Sequence, residues 1–192
     1  MTDAFRTELL SPAAAADGVV VSTLTDLVNE VYAVAEKGLW AEGATRTFAA
    51  EIAEFIRAGE IAVAAERDRI LGCVRIQRLG DEVSEFGMLA VVPSHRGFGI
   101  GRELVRFAEQ RGRDMGCMTM QLELLVPREW KHPMKEYLAR WYARMGYTVV
   151  STGSTEELYP NLSPLLATPC QFVIYRRSIR AKLARAIEAV LR

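Results

Sequence analysis

The chain has 192 residues, and its 24 Lys and Arg are balanced by 24 Asp and Glu. That balance removes any global electrostatic argument for nucleic acid or an anionic membrane, and no stretch reaches the roughly 20 apolar residues that span a bilayer. A hydrophobic fraction of 50% with 25% charged residues suits a globular protein with a sizeable core. Cys73, Cys117 and Cys170 lie far apart and form no CxxC pair, so they read as reduced, buried thiols of a cytoplasmic protein. His95 and His132 are too few and too separated to suggest a metal site. The run Ala13–Ala16 is short, and no basic segment precedes it, which excludes a signal-peptide reading. No repeat or low-complexity linker divides the chain, so one domain is expected over 1–192.

In chain order, Val19–Val21 reads as the end of a short strand, because three β-branched residues follow one another. Ser22 then looks like an N-cap, and Leu24, Leu27, Val28, Val31 and Val34 mark an amphipathic helix to about Lys37. A second helix is expected over 47–57, with Phe48, Ile52, Phe55 and Ile56 inward. Residues 60–66, 70–79 and 82–92 read as a meander of antiparallel strands, broken by turns at Arg67–Arg69 and Gly80–Asp81. Pro93 and Ser94 end the third strand, since proline lacks the N–H a central strand must donate. Leu104, Val105 and Ala108 open a helix to about Asp114. The strand at 118–126 follows this helical crossover, so it should run parallel to the strand before the loop. A helix over 134–145, a strand over 147–151, an irregular stretch with one helical turn near 154–158, and a strand over 171–176 follow. Ser178 reads as the cap of a last helix to 192. The order defines a mixed α/β sheet flanked by helices.

Between the third strand and its helix, His95 to Gly101 holds glycines at the alternate positions 97, 99 and 101. Glycines ahead of a helix leave bare backbone N–H groups where the helix dipole favours an anion. A nucleotide P-loop needs Gly-Lys-Ser/Thr, whereas Gly101 is followed by Arg102 and Glu103. A dinucleotide fingerprint needs a third glycine where Arg102 stands, and parallel strands in place of a meander. A purely structural turn would need fewer glycines and no flanking arginine.

The remaining reading rests on a resemblance. Arg96 to Gly101 matches the pattern Arg/Gln-x-x-Gly-x-Gly/Ala, and Trp141 to Tyr147 is similar to a Phe-Tyr-x-x-x-Gly-Phe segment. Both resemble signatures of the GCN5-related N-acetyltransferase (GNAT) superfamily, over about residues 61–176. The resemblance implies a mainly antiparallel twisted sheet whose central parallel strands splay apart, and acetyl-CoA as cosubstrate. It implies an acyltransferase that moves the acetyl group to a primary amine by direct attack in a ternary complex. Arg96, Gly97, Phe98, Gly99, Ile100, Gly101 and Arg102 would hold the pyrophosphate, and Leu89, Ala90 and Val91 the pantetheine arm.

The chemistry adds two requirements. A lysine-like amine, of pKa about 10.4, must lose a proton before it attacks, and the departing thiolate must be met by an acid. Tyr142 matches the family tyrosine that approaches the sulfur. Glu85 matches the glutamate base of the histone-acetylating branch, with Glu123, His132 or water as alternatives for that role. His132 and Trp130, with Tyr32 and Trp40, are candidates for the acceptor pocket, or else plain loop and core residues. The family often has an asparagine at the position of Lys135, where this chain departs from it. The expected acceptor is a small-molecule or peptide amine, with no nucleic acid or membrane partner, and the chain a monomer or homodimer. A non-catalytic acyl-CoA-binding module on the same fold is the alternative.

Overall fold

A computed structural model describes residues 5–180. Its seven strands form one sheet in the order β1-β2-β3-β4-β5-β7-β6, with β1 Arg6–Leu9, β2 Ile61–Glu66, β3 Arg69–Arg78, β4 Val83–Val91, β5 Thr119–Pro127, β6 Thr148–Ser154 and β7 Cys170–Ser178. All neighbouring pairs are antiparallel except β4 and β5, which run parallel. The expected meander and crossover are therefore present.

Helices cover both faces. On one lie α1 (Gly18–Ala35) and α2 (Ala49–Arg57), which bury Leu24, Val28, Ile52 and Ile56 against Val63, Cys73, Met88 and Ala90. On the other lies α3 (Ile100–Asp114), whose Ile100, Leu104, Val105 and Ala108 pack on Leu71, Val74, Phe86 and Met120. The second helix on that face, α4 (Pro133–Arg144), adds Tyr142 to the same core. A short α5 (Thr155–Leu158) follows β6. Gly112 is what lets α3 lie down on β4: a Cβ there would collide with Ser84 Oγ and Ile179.

Three expectations are corrected. Residues 19–21 are helix, not strand: Asp17 caps α1 by accepting from the N–H groups of Val19 (2.9 Å) and Val20 (3.3 Å), so the helix starts well before Ser22. The first strand is β1, at the sheet edge on β2. Phe48 is 61% exposed at the N-cap of α2, because the helix starts one residue beyond it. At the far end β7 runs on to Ser178, two residues past the expected strand, and Ile179 is buried on the α3 core. The expected last helix falls almost wholly on 181–192, outside the described residues. By length and a mean hydropathy of 1.2, α1 is apolar enough to cross a membrane. Its apolar stripe packs against α2 and the sheet in one core cluster.

Candidate active site

The site begins with the way β4 and β5 part. They pair only from Val83–Thr119 to Glu85–Gln121. Beyond Glu85, β4 carries one extra residue: Cys73 faces Ala90, whereas Arg75 faces Gly87. Met88 takes up that residue at φ 48°, a β-bulge with a left-handed backbone. A bulge reverses the alternation of faces. Ser84 and Phe86 point to the α3 side before it, and Leu89 and Val91 after it, while Met88 and Ala90 turn to the α1 side. β4 is thus steered away from β5, which continues straight along β7 to Pro127. The gap is a cavity of about 1140 Å³ bordered by both strands, α1, α4 and the loop after β4.

That loop forms one end. Gly97 and Gly99 sit at φ 89° and 87°, and a Cβ on either would meet open space. They are required for the left-handed backbone, not to relieve crowding within the protein. Gly99 is the N-cap of α3 and supplies no capping side chain. Among the described residues, no backbone carbonyl accepts from the N–H groups of Gly97 through Arg102. Arg96 and Arg102 line the cavity beside them, and Phe98 projects outward, 67% exposed. Bare N–H groups, a helix N-terminus and flanking guanidiniums suit a pyrophosphate.

Tyr142 stands at the middle of the cleft, 6% exposed, held by the rings of Phe86, Trp141, Tyr147 and Tyr175. Among the described residues no group hydrogen-bonds its hydroxyl. Burial, with Tyr32 and Tyr175 adding, pushes its pKa well above that of an ordinary phenol, so the hydroxyl stays protonated. Across from it, burial likewise raises Tyr32, while Arg46 and the Leu89 backbone N–H act to lower it. Tyr32 and Leu89 line the same cavity.

Glu85 lies where the strands part, 7% exposed. Gln77 Nε2 donates to one carboxylate oxygen (2.8 Å) and Gln121 Nε2 to the other (2.9 Å). Gln77 accepts in turn from Arg75 (2.8 Å) and Gln121 from Arg176 (2.8 Å), and Arg75 is ion-paired to Glu60 (2.7 Å). This polar chain crosses the sheet from Glu60, just ahead of β2, to Arg176 on β7 and gives both Glu85 oxygens a donor.

Glu123, next along the same face of β5, is placed differently. Tyr159 donates to its Oε2 (2.7 Å), and among the described residues nothing donates to Oε1. Burial raises its pKa, the Tyr159 bond opposes the rise, and the charge of Glu85 adds to it.

The far end of the cleft is tied shut. Lys135 Nζ bonds Glu36 Oε1 (2.5 Å), and Trp40 Nε1 bonds Glu36 Oε2 (2.6 Å), all lining the cavity. His132 caps α4 by accepting from the Met134 N–H (3.2 Å), which leaves its other ring nitrogen to donate to the Lys37 carbonyl (3.2 Å). Lys135, where the family pattern has an asparagine, thus joins α1 to α4. His132 is an anchor of the same junction, and Trp130 stacks on it while packing beside Gly38. Tyr32 and Trp40 do line the cavity. The three cysteines are free and buried. Among the described residues, no group of three His, Cys, Asp or Glu is gathered as for a metal ion.

The sequence reading missed the Tyr159–Glu123 bond, the glutamine donors on Glu85 and the half-buried position of Arg46 on the cavity wall. Only the alternation that puts Gln121 and Glu123 on one face of β5 could have pointed toward them.

A splayed parallel pair, with an uncapped glycine turn on one side and a buried tyrosine on the other, is the arrangement that the sequence resemblance implies. The comparisons agree. A family model for the acetyltransferase (GNAT) domain matches residues 57–149. The aminoglycoside 6'-N-acetyltransferase from Enterococcus faecium superposes with a TM-score of 0.67 at 16% identity, over 92% of this chain and 98% of that one. An aminoglycoside 6'-N-acetyltransferase complexed with coenzyme A gives 0.67 at 17% identity, again over 92% and 98%. The yncA protein from Salmonella typhimurium, solved with its cofactor acetyl-CoA, gives 0.61 at 14% identity, over 92% and 95%. By sequence search, no curated protein matches. Residues 57–149 thus match the acetyltransferase (GNAT) domain, and the solved structures share the fold of this chain.

Proposed function

We propose that this protein is an acetyl-CoA-dependent N-acetyltransferase that acts on a primary amine of a small molecule or peptide, by direct attack in a ternary complex. One observation carries the reading. A single cavity is lined by Gly97, Gly99, Ile100, Gly101 and Arg102 with their bare N–H groups, by Leu89 and Val91 of the bulged edge, by the buried Tyr142 and by the carboxylates of Glu85 and Glu123. The coenzyme bound in two of the structural relatives supports it.

Acetyl-CoA brings the acetyl group as a thioester. Arg96, Gly97, Phe98, Gly99, Ile100, Gly101 and Arg102 hold its pyrophosphate, and Leu89, Ala90 and Val91 offer backbone groups to the pantetheine arm. A backbone N–H near Leu89 polarises the carbonyl. Glu85, satisfied by two amide donors, supplies fixed negative charge that draws in an ammonium. Glu123, with its unoccupied Oε1 and raised basicity, takes the proton that frees the amine's lone pair. Glu85, read from sequence as the base, acts with Glu123 as a pair. Tyr142 donates to the departing sulfur. The buried free thiols suit action in the reducing cytoplasm.

Gly99→Val tests the cradle. A branched side chain at φ 87° is strained by about 1–3 kcal/mol, so the turn must reshape. Acetyl-CoA binding, followed by calorimetry, is expected to weaken at least about tenfold, a change of about 1.4 kcal/mol. Unchanged affinity would remove the loop from the coenzyme site.

A further inference from the structure

The α1–α2 side of the cavity carries three cations, Arg46, Arg75 and Lys135, and two of them are neutralised. Arg75 is paired with Glu60 and lies over the Phe55 ring at 3.6 Å. Lys135 is paired with Glu36. Arg46 is different. Among the described residues no carboxylate ion-pairs with it and no acceptor takes a hydrogen bond from its guanidinium.

Its position is nevertheless built. Asn29 Oδ1 accepts from the backbone N–H groups of both Arg46 (3.0 Å) and Thr47 (3.0 Å), and Asn29 Nδ2 donates to the Thr47 carbonyl (3.0 Å). This clamp fixes the loop from which Arg46 extends. The guanidinium then rests over the Tyr32 ring, 5.3 Å from its centre, which orients the planar fork. It shares its cavity with the carboxylates: Arg46, Glu85, Glu123 and Tyr159 all line the one cleft. One chamber therefore offers negative charge on the sheet floor and an unpaired, pre-oriented guanidinium on the wall above it.

We propose that the acceptor is an amine that also carries a carboxylate, its ammonium drawn to Glu85 and Glu123 and its carboxylate held by Arg46. This rests on the N-acetyltransferase reading and names its substrate class. A fixed guanidinium fork matches a carboxylate with two parallel hydrogen bonds, which a lysine ammonium does not reproduce. The same charge repels an acceptor bearing only amines, so the site selects against polycations.

The test compares amino acids and dipeptides with a free carboxylate against their carboxamides, with acetyl-CoA, in the wild type, Arg46→Lys and Arg46→Gln. The wild type should prefer the acid by about 10- to 100-fold in kcat/KM. The preference should shrink in Arg46→Lys and fall toward one in Arg46→Gln, through KM. Equal use of acid and carboxamide by the wild type, a carboxylate-free polyamine as the better acceptor, or an undiminished preference in Arg46→Gln would overturn the proposal. Should no acetyl transfer occur, the proposed function fails, and the carboxylate pocket is read by calorimetry of the same compounds on CoA-loaded protein. Acid-selective binding lost in Arg46→Gln upholds it, and equal binding of acid and carboxamide refutes it.

Discussion

Tyr142→Phe separates the chemistry of the cleft from its packing. The ring is held on all sides by Phe86, Trp141, Tyr147 and Tyr175, contacts that phenylalanine keeps. The hydroxyl has no hydrogen-bond partner among the described residues, so removing it strands no buried donor or acceptor. The expected change in unfolding free energy is therefore within about 0.5 kcal/mol. Catalysis should respond very differently. Removing a preorganised donor to a developing anion costs on the order of 100-fold in rate, or about 2.7 kcal/mol of barrier. The assay is thiol release from acetyl-CoA at saturating amine, paired with calorimetric affinity for acetyl-CoA and a urea melt. The account expects a fall in kcat with unchanged affinity and melting. A variant that turns over like the wild type would leave Tyr142 a packing residue and refute the reasoning.

Two further outcomes follow from named contacts. Glu123, raised by burial and by Glu85 against the Tyr159 bond, binds its proton more tightly when folded than when unfolded. Its ionisation therefore opposes folding as pH climbs above the ordinary carboxylate range. Glu123→Gln should melt higher than the wild type at pH 8, with the gap closing toward pH 4; it should also lose the acidic limb of the kcat/KM profile, and an intact limb would exonerate Glu123. Lys135→Met leaves Glu36 buried with only the Trp40 N–H against its charge. That should cost about 3–5 kcal/mol and lower Tm by about 10 °C, with Glu36→Gln on the same chain restoring part of it; an unchanged melt would show that the pair does not join α1 to α4.

The parts of the fold that announce themselves do so through local pattern. The meander at residues 60–92 alternates, its turns carry Asp and Gly, and α3 repeats its apolar face at helical spacing. The glycine loop was legible because positive φ at 97 and 99 admits little else. What stayed hidden was decided elsewhere. Val19–Val21 has the β-branched composition of a strand, yet its Val19 and Val20 N–H groups donate to the Asp17 side chain and a buried stripe packs on the sheet, which make it helix. The bulge that opens the cleft sits at Met88, a residue with no turn signature, so the splay could be expected only by resemblance. The pairs that shape the chamber, Lys135 with Glu36 and Tyr159 with Glu123, join segments far apart in sequence. Gln121 reads as an ordinary polar strand residue until Glu85 is placed beside it.

The central claim is that an acetyl group passes from acetyl-CoA to an amine within the gap between β4 and β5. Its most direct test follows free thiol and acetylated product together, with isotopically labelled acetyl-CoA and a panel of primary amines that includes amino acids. The account predicts amine-dependent thiol release, one thiol for each N-acetylated product, and none from protein lacking the amine. Acetyl-CoA that binds the protein yet yields no acetylated amine across the panel would contradict it, and would leave a coenzyme-binding module in place of an enzyme.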